Sequence, residues 1–314
     1  SLQFKASEIS DLVGGTTYDV PFTYKFQGKT LLDETIKVEV LENYTVEVSQ
    51  VSVPYDINSF DFNSDGSILF GAGAYGWKLW NIANSSATEI ASSVVSPVNF
   101  TARGDMNTTG DKFAICTNQH NLNNSPVRGY FEVFQISGDT VSQIGSRITH
   151  SKETHSISQN CDIKINEEGT RILVSDSIAR MYGQIYHYEF QNDDWVLIET
   201  LSGPSGDTNE QFGNPGRWDS DNDLKRIVIA DTYGNYAENS YDRNDYVYVL
   251  SLNSTDNQYE FADWFWMGFS DAPVGQRKVT MSGDGGTIVF SNKTDRDNDG
   301  SVDDVVSGVR YREG

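Results

Sequence analysis

Between Asp295 and Asp304 the sequence reads DRDNDGSVDD, with carboxylates at Asp295, Asp297, Asp299 and Asp303 and a glycine at Gly300. Counted from Asp295 the acids fall at positions 1, 3, 5 and 9, with glycine at 6, which is the ligand spacing of a calcium loop. Alternate positions point the same way as the chain curls round the ion. Gly300 permits the sharp turn, and the Ser301 carbonyl supplies position 7. An all-oxygen, carboxylate-rich set suits calcium rather than zinc or copper. The spacing therefore predicts a calcium ion held by Asp295, Asp297, Asp299, Ser301 and Asp303; the competing reading is a solvated acidic loop. Position 12 is Val306 where an EF-hand needs glutamate, and VVSGVRY reads as a strand, so the loop is expected between the second and third strands of a β-sheet.

Two other acidic clusters carry less. Asp61, Asn63 and Asp65 hold the first three ligand positions but reach Leu69 at position 9, and Asp219, Asp221 and Asp223 reach Ile227. Both read as turns whose side chains bond their own backbone. The four histidines, His120, His150, His155 and His187, show no HExxH-type spacing. His187 alternates within IYHYEF and is expected to pack between sheets. Asp193 and Asp194 precede Trp195 in a turn, and no glycosidase-like carboxylate pair stands out among so many acids. A catalytic site needs a tuned acid or base in a concave pocket, and no catalytic residue is assigned. DWFWMGF (Asp263 to Phe269) is dense enough in aromatics for a sugar platform, but reads first as an outer strand with one buried face. TYGNYAENSYDRND (Thr232 to Asp245) is the longest insertion and a plausible contact surface.

The elements that must position these groups are strands. Helix signals are nearly absent, and short apolar or alternating runs are bounded by Gly, Asn, Asp and Ser. A repeat is visible in FDFNSDGSILFGA from Phe60, RGDMNTTGDKFAICT from Arg103, CDIKINEEGTRILVSD from Cys161, RWDSDNDLKRIVIAD from Arg217 and KVTMSGDGGTIVFSN from Lys278. Each is a strand, a turn and an apolar strand, with the turns aligned at Gly66, Gly110, Gly169, Leu224 and Gly285. Third strands follow as GWKLWNI, GYFEVFQI, GQIYHYEF, DYVYVLSL and GVRYREG. The first four repeats add a fourth, in ATEIASSV, TVSQIGSRI, WVLIETLSG and YEFADWFWMG. Four-stranded units repeated radially make a β-propeller, here an all-β, five-bladed one over residues 44–314. The fifth repeat lacks a fourth strand, and the orphan YTVEVSQVSV (Tyr44 to Val53) is expected to complete it and close the ring. A β-sandwich is the competing fold. Residues 1–43 stand outside the repeat: YDVPFTYKFQGKTLLDETIKVEVLE reads as a β-hairpin turning at QGK, like the closing hairpin of an immunoglobulin- or cadherin-like module, that attaches the propeller to something larger.

The bulk numbers narrow the classes. The chain has 314 residues, of which 37% are hydrophobic and 12% aromatic, enough for a sizeable core. A net charge of −22 repels phosphate backbones and anionic headgroups, so nucleic acid and membrane surfaces are disfavoured as partners. There is no apolar run long enough to span a bilayer. The chain starts at Ser1 with no visible signal peptide, which fits a processed product or part of a longer chain. The two cysteines, Cys116 and Cys161, lie in runs that read as buried strands. They fit small buried hydrophobes first and a disulfide between neighbouring strands second. Seven Asn-x-Ser/Thr sequons matter only if the protein is eukaryotic and secreted.

The run WVLIETLSGPSGDTNEQFG, with SDNDLKRIVIADTYG and NDYVYVLSL after it, resembles the FG-GAP-like propeller repeat of marine viruses, phages, algae and surface proteins. The resemblance covers about residues 55–314. It departs from the family pattern at Leu224, where the turn glycine is missing, and the family's Phe-Gly pair occurs at its place only as Phe212-Gly213. It implies an extracellular or virion-surface module that binds proteins or glycans, often with calcium in blade loops, and no catalytic set. The expected function is a non-enzymatic virion-surface or appendage component for assembly or host attachment, with protein assembly partners or surface glycans. A secreted or cell-surface bacterial adhesion or glycan-binding propeller is the alternative, and a polysaccharide-active enzyme the third reading.

Overall fold

The computed structural model describes residues 16–26, 29–40, 57–73, 76–83, 86–94, 100–119, 129–149, 161–176, 183–202, 212–213, 216–232, 245–266, 278–294 and 303–310. Among the described residues every regular element is a β-strand, and no helix is long and apolar enough to cross a membrane. The chain divides into two compact units, residues 1–50 and 51–314. In the first, β1 (Thr16–Phe26) and β2 (Lys29–Val40) pair antiparallel from Thr16↔Val40 to Phe26↔Lys29.

The second unit holds the repeats. The first sheet is β3 (Ile57–Phe62), β4 (Ile68–Gly73), β5 (Gly76–Ala83) and β6 (Ser86–Val94). The second is β7 (Phe100–Met106), β8 (Lys112–Gln119), β9 (Tyr130–Ser137) and β10 (Thr140–Thr149), and the third is β11 (Cys161–Ile165), β12 (Arg171–Asp176), β13 (Gln184–Gln191) and β14 (Asp194–Ser202). The fourth comprises β15 (Trp218–Ser220), β16 (Arg226–Thr232), β17 (Asp245–Asn253) and β18 (Gln258–Trp266). The last has three described strands, β19 (Val279–Met281), β20 (Thr287–Thr294) and β21 (Asp303–Arg310). All pair antiparallel in chain order, and the first strands of all five line one cavity. This is the architecture of a β-propeller. The segment Tyr44–Val53 lies outside the described residues. The last third strand, expected as GVRYREG, starts earlier, at Asp303.

Each hairpin between first and second strands is tied the same way. A side-chain oxygen of Asn63, Asn107, Asn166, Asp221 or Ser282 accepts the amide five residues on, at 2.8 to 3.1 Å. This local bond replaces a ladder bond where the chain reverses. The next position that repeats is left-handed: Gly66, Gly110, Gly169 and Gly285 have φ between 67° and 74°. The sheet without glycine keeps the conformation, with Leu224 at φ 52°. That costs a leucine about 1 kcal/mol. Leu224 offsets it by being 1% exposed in the core between the third and fourth sheets, and Tyr259 donates its hydroxyl hydrogen to the Leu224 carbonyl.

The core lies between sheets. Ala114, Cys116, Phe131 and Val133 pack on Ile163, Ile165, Ile172 and Val174; Leu173 and Ile185, on the other side of the third sheet, pack on Trp218, Ile227 and Ile229. The second strands read as continuous apolar runs because both of their faces are covered. At the rim, the pairing of third with fourth strand shifts register in all four four-stranded sheets, near Leu79/Trp80, Ile144/Ile148, His187/Tyr188 and Val249/Leu250. Such bulges twist an exposed edge away from further pairing.

The cysteines correct the first reading of them. Cys116 of β8 and Cys161 of β11 form a disulfide, with Cα atoms 6.2 Å apart. They are buried, as expected, but their strands belong to adjacent sheets that bring two sulfurs together. His187 packs between sheets as expected: it is fully buried, edge-on to Tyr259 of the fourth sheet with ring centroids 5.2 Å apart.

Candidate functional site

Two places before each hairpin cap, the first strands present Asp61, Asp105, Lys164, Asp219 and Thr280. Alternation puts these five positions on the same side of their strands, and the strands converge on a cavity of about 190 Å³. Its lining includes Asp61, Asp105, Lys164, Asp219 and, from the hairpins, Glu167 and Asn222.

The carboxylates are engaged by the neighbouring sheet. Asp61 accepts the Met106 amide at 3.1 Å, Asp105 the Ile165 amide at 2.9 Å, and Asp219 the Met281 amide at 3.0 Å. The Thr280 hydroxyl also donates to Asp219, at 2.6 Å. Each bond links one sheet to the next. In the third sheet the position carries Lys164, whose Nζ lies 3.4 Å from Asp105 and 3.0 Å from Asp219. A second tier runs through the hairpins: Thr108 donates its amide and hydroxyl to Glu167, and the Glu167 amide donates to the Asn222 carbonyl.

Burial and crowding set the protonation of the ring. Burial raises the Asp61 carboxyl, and pushes that of Asp105 up to about 7 against the pull of Lys164. Asp105 foremost, with Asp219 and Asp162, holds Lys164 well above the usual lysine range. Asp162 is raised by burial and drawn back by Lys164 and Arg103. Chemically the ring can hold a proton between its carboxylates near neutrality and keep Lys164 charged. Its polar atoms are otherwise committed to holding sheets together.

Of the predicted calcium ligands, Asp295, Asp297, Asp299 and Ser301 lie outside the described residues. Asp303 opens β21, its backbone opposite Thr294 at the end of β20. The acidic stretch therefore joins the second and third strands of the last sheet, where the sequence puts it. Among the described residues no group of three or more His, Cys, Asp or Glu is arranged to hold a metal. The two weaker acidic clusters divide. Asn63, Asp65 and Asp221 bond amides of their own turns as expected, whereas Asp61 and Asp219 reach across to the next sheet. Sequence reasoning missed that latch, although its signal was present as a charged residue recurring two places before the cap. DWFWMGF is in part an outer strand as expected: Phe265 packs towards the last sheet, while Trp264 and the nearby Phe261 are 48% and 57% exposed.

No protein-family model matches the chain, and no curated protein sequence matches it. Solved structures resemble it in fold. Hydrazine synthase of Kuenenia stuttgartiensis matches with a TM-score of 0.52 at 15% identity, over 85% of this chain and 66% of that one. A protein from Lactobacillus plantarum matches with a TM-score of 0.52 at 12% identity, over 82% of this chain and 72% of that one. The β-propeller domain of the trilobed protease from Pyrococcus furiosus follows at 0.47 and 10%, over 82% of this chain and 70% of that one. The chain spans just under two thirds of the hydrazine synthase chain. At these identities the likeness is one of fold alone, and the class is the β-propeller that the five sheets already define.

Proposed function

We propose that this chain is a non-enzymatic structural module, a five-bladed propeller of FG-GAP-like type that mediates assembly or host attachment at a virion or cell surface. The observation that carries it is the commitment of Asp61, Asp105 and Asp219 to amides of the adjoining sheets. Axial carboxylates that hold a ring together are poorly placed to exchange protons with a substrate. The intersheet disulfide supports an oxidising, extracellular location, and the charge of −22 suits calcium-containing surroundings. In this reading the N-terminal β-hairpin segment (1–43), like the last piece of an immunoglobulin- or cadherin-like module, attaches a propeller (44–314) to a larger assembly. A glycan-binding adhesion propeller is the second reading, favoured by the exposed Phe261 and Trp264, since aromatic faces stack on sugar rings.

Labelled full-length chain is expected to bind whole cells or immobilised polysaccharides and to leave the polysaccharide uncleaved. Steady release of oligosaccharide, lost on Asp105→Asn, would overturn the non-enzymatic reading. Calcium is proposed at Asp295, Asp297, Asp299, Ser301 and Asp303 in the loop joining β20 to β21. Chelation is then expected to lower the melting temperature, by the equivalent of about 2.7 kcal/mol from a hundredfold excess of calcium over Kd. Asp297→Ala should abolish that sensitivity. Identical melting curves with and without chelator would remove calcium from the account.

A further inference from the structure

Beyond the acidic ring of Asp61, Asp105, Lys164, Asp219 and Thr280, the first strands present a further tier. Two residues earlier, four places before each hairpin cap, stand Ser59, Arg103, Asp162, Arg217 and Lys278. Alternation turns them to the same side of their strands, about 7 Å farther from the caps. Arg217 and Lys278 fall just before β15 and β19, but backbone bonding reaches them. The Ala230 amide donates to the Arg217 carbonyl at 2.7 Å, and the Val279 amide to the Gly216 carbonyl at 3.1 Å. The two tiers are opposite in sign. In the acidic ring three carboxylates accompany one lysine, whereas here three cations accompany one carboxylate, in a chain whose net charge is −22.

Residues at these positions otherwise serve the seams. Ser59 accepts the Gly104 amide at 2.8 Å, as Asp61 accepts that of Met106 and Asp105 that of Ile165. In each case the amide belongs to the residue that follows the same position in the next sheet. Arg103 breaks this series, because a guanidinium has five donors and no acceptor. The amide it would have served, that of Ile163, turns instead to the carboxylate of Asp162, at 3.2 Å. Asp162 is acted on electrostatically by both Lys164 and Arg103, which agrees with a shared axial side, yet no hydrogen bond or ion pair joins Arg103 to it. The Arg103 Nε is buried and has no hydrogen-bond partner. A buried donor left unpaired is costly and calls for an acceptor.

We infer that this basic tier binds a small oxyanion, a phosphate or carboxylate group seated on the Arg103 guanidinium with Arg217 and Lys278 beside it. A water molecule satisfies the Nε hydrogen but leaves the gathered positive charge unmatched. A guanidinium presents its donors in a rigid fork that fits two oxygens of one anion, and such charge-assisted bonds are the strong ones. The Lys278 side chain lies over Gly216, next to Arg217. Arg217 is buried and Lys278 exposed, and both add positive charge whatever else they touch. The oxyanion arrives either free in solution or as the acid group of a sugar, and the site does not depend on the attachment reading.

The test titrates the full chain with sodium phosphate, glucuronate or glucose at constant ionic strength, followed by calorimetry and by melting temperature. At least one of the two anions is expected to bind at a single site and raise the melting temperature, and glucose to do neither. Tighter binding of phosphate identifies the free anion as the occupant, and tighter binding of glucuronate the sugar acid. Arg103→Gln should weaken the anion at least about tenfold, the loss of one charge-assisted hydrogen bond. Lys278→Gln, at an exposed position, should weaken it less, and Asp162→Asn should tighten it by removing the opposing carboxylate. If Arg103→Gln does not fold, the opposite shifts of these two variants decide the matter. No heat with either anion would overturn the site. So would equal stabilisation of the parent and Arg103→Gln, as general salt exclusion gives, or affinities that Lys278→Gln and Asp162→Asn leave unchanged.

Discussion

The seam between the second and third sheets and the side of the first sheet that carries Phe60 and Phe62 are built from the same repeat positions, yet they end up unlike. In the former, Ile163 and Ile165 are buried against Ala114 and Val133, the Asp105 carboxylate takes the Ile165 amide, and Cys161 is bonded to Cys116. On the latter, the corresponding positions are Phe60 and Phe62, exposed and edge-on to each other, their ring centroids 6.5 Å apart. A repeat defines a face but not its occupant. Three kinds of bond secure a seam here, and each can be removed singly to see how much of the difference it makes.

The largest effect is expected from the covalent bond. The disulfide spans 45 residues, and loop-closure entropy assigns such a link about 4 kcal/mol of stability. Cys116→Ala with Cys161→Ala should lower the denaturant midpoint accordingly, and reductant should reproduce the loss in the parent but not in the variant. An unchanged midpoint would mean that apolar packing alone makes this seam the stronger one.

The carboxylate latch comes next. Asp219→Ala leaves the Met281 amide without its acceptor between the fourth and last sheets and leaves Lys164 with Asp105 alone, at a cost of about 2–3 kcal/mol. Asp219→Asn can still accept the amide and should cost roughly half as much. Equal losses for the two would assign the latch to charge rather than to the hydrogen bond.

A smaller effect follows pH. The Asp105 carboxyl is pushed up to about 7 by burial, facing Lys164, Asp61 and Asp219, whereas an unfolded aspartate titrates near 4. A folded value above the unfolded one means that the native state binds the proton more tightly. Stability should therefore fall as pH rises from about 4 to about 7 and level off above that. Asp61, also raised, adds in the same direction. Asp105→Asn should flatten the slope in melting temperature against pH, and an unaltered slope would place the titrating group elsewhere.

The smallest change is expected at the fourth hairpin. Leu224→Gly relieves a left-handed leucine but empties a buried site, so a net loss of about 1 kcal/mol is expected. A gain in thermal stability would show that strain outweighs packing there.

The fold was largely legible in the sequence because every sheet repeats the same local chemistry: an Asx or serine cap, a left-handed residue, and an apolar second strand. Those signals act within a few residues, and even Leu224, which breaks the glycine rule, sits at its aligned place. The axial site was legible only in part. Asp61 and Asp219 look like ligands or turn caps in the sequence, and only the adjoining sheet reveals that their acceptors serve amides 45 and 62 residues away. The disulfide was undecided for the same reason, since pairing depends on how two strands of different sheets face each other. The exposure of Phe60 and Phe62 is likewise a property of the sheet that is next to them, not of their own strand.

The bond between Cys116 and Cys161 has one more consequence. A protease that cuts the chain once anywhere between them yields two pieces that stay joined, so nicked protein keeps its full mass until a reductant is added. In surroundings rich in secreted proteases, that tether preserves the neighbourhood of the second and third sheets after the backbone is broken, and a nicked molecule can re-form its seam as a one-body rather than a two-body event.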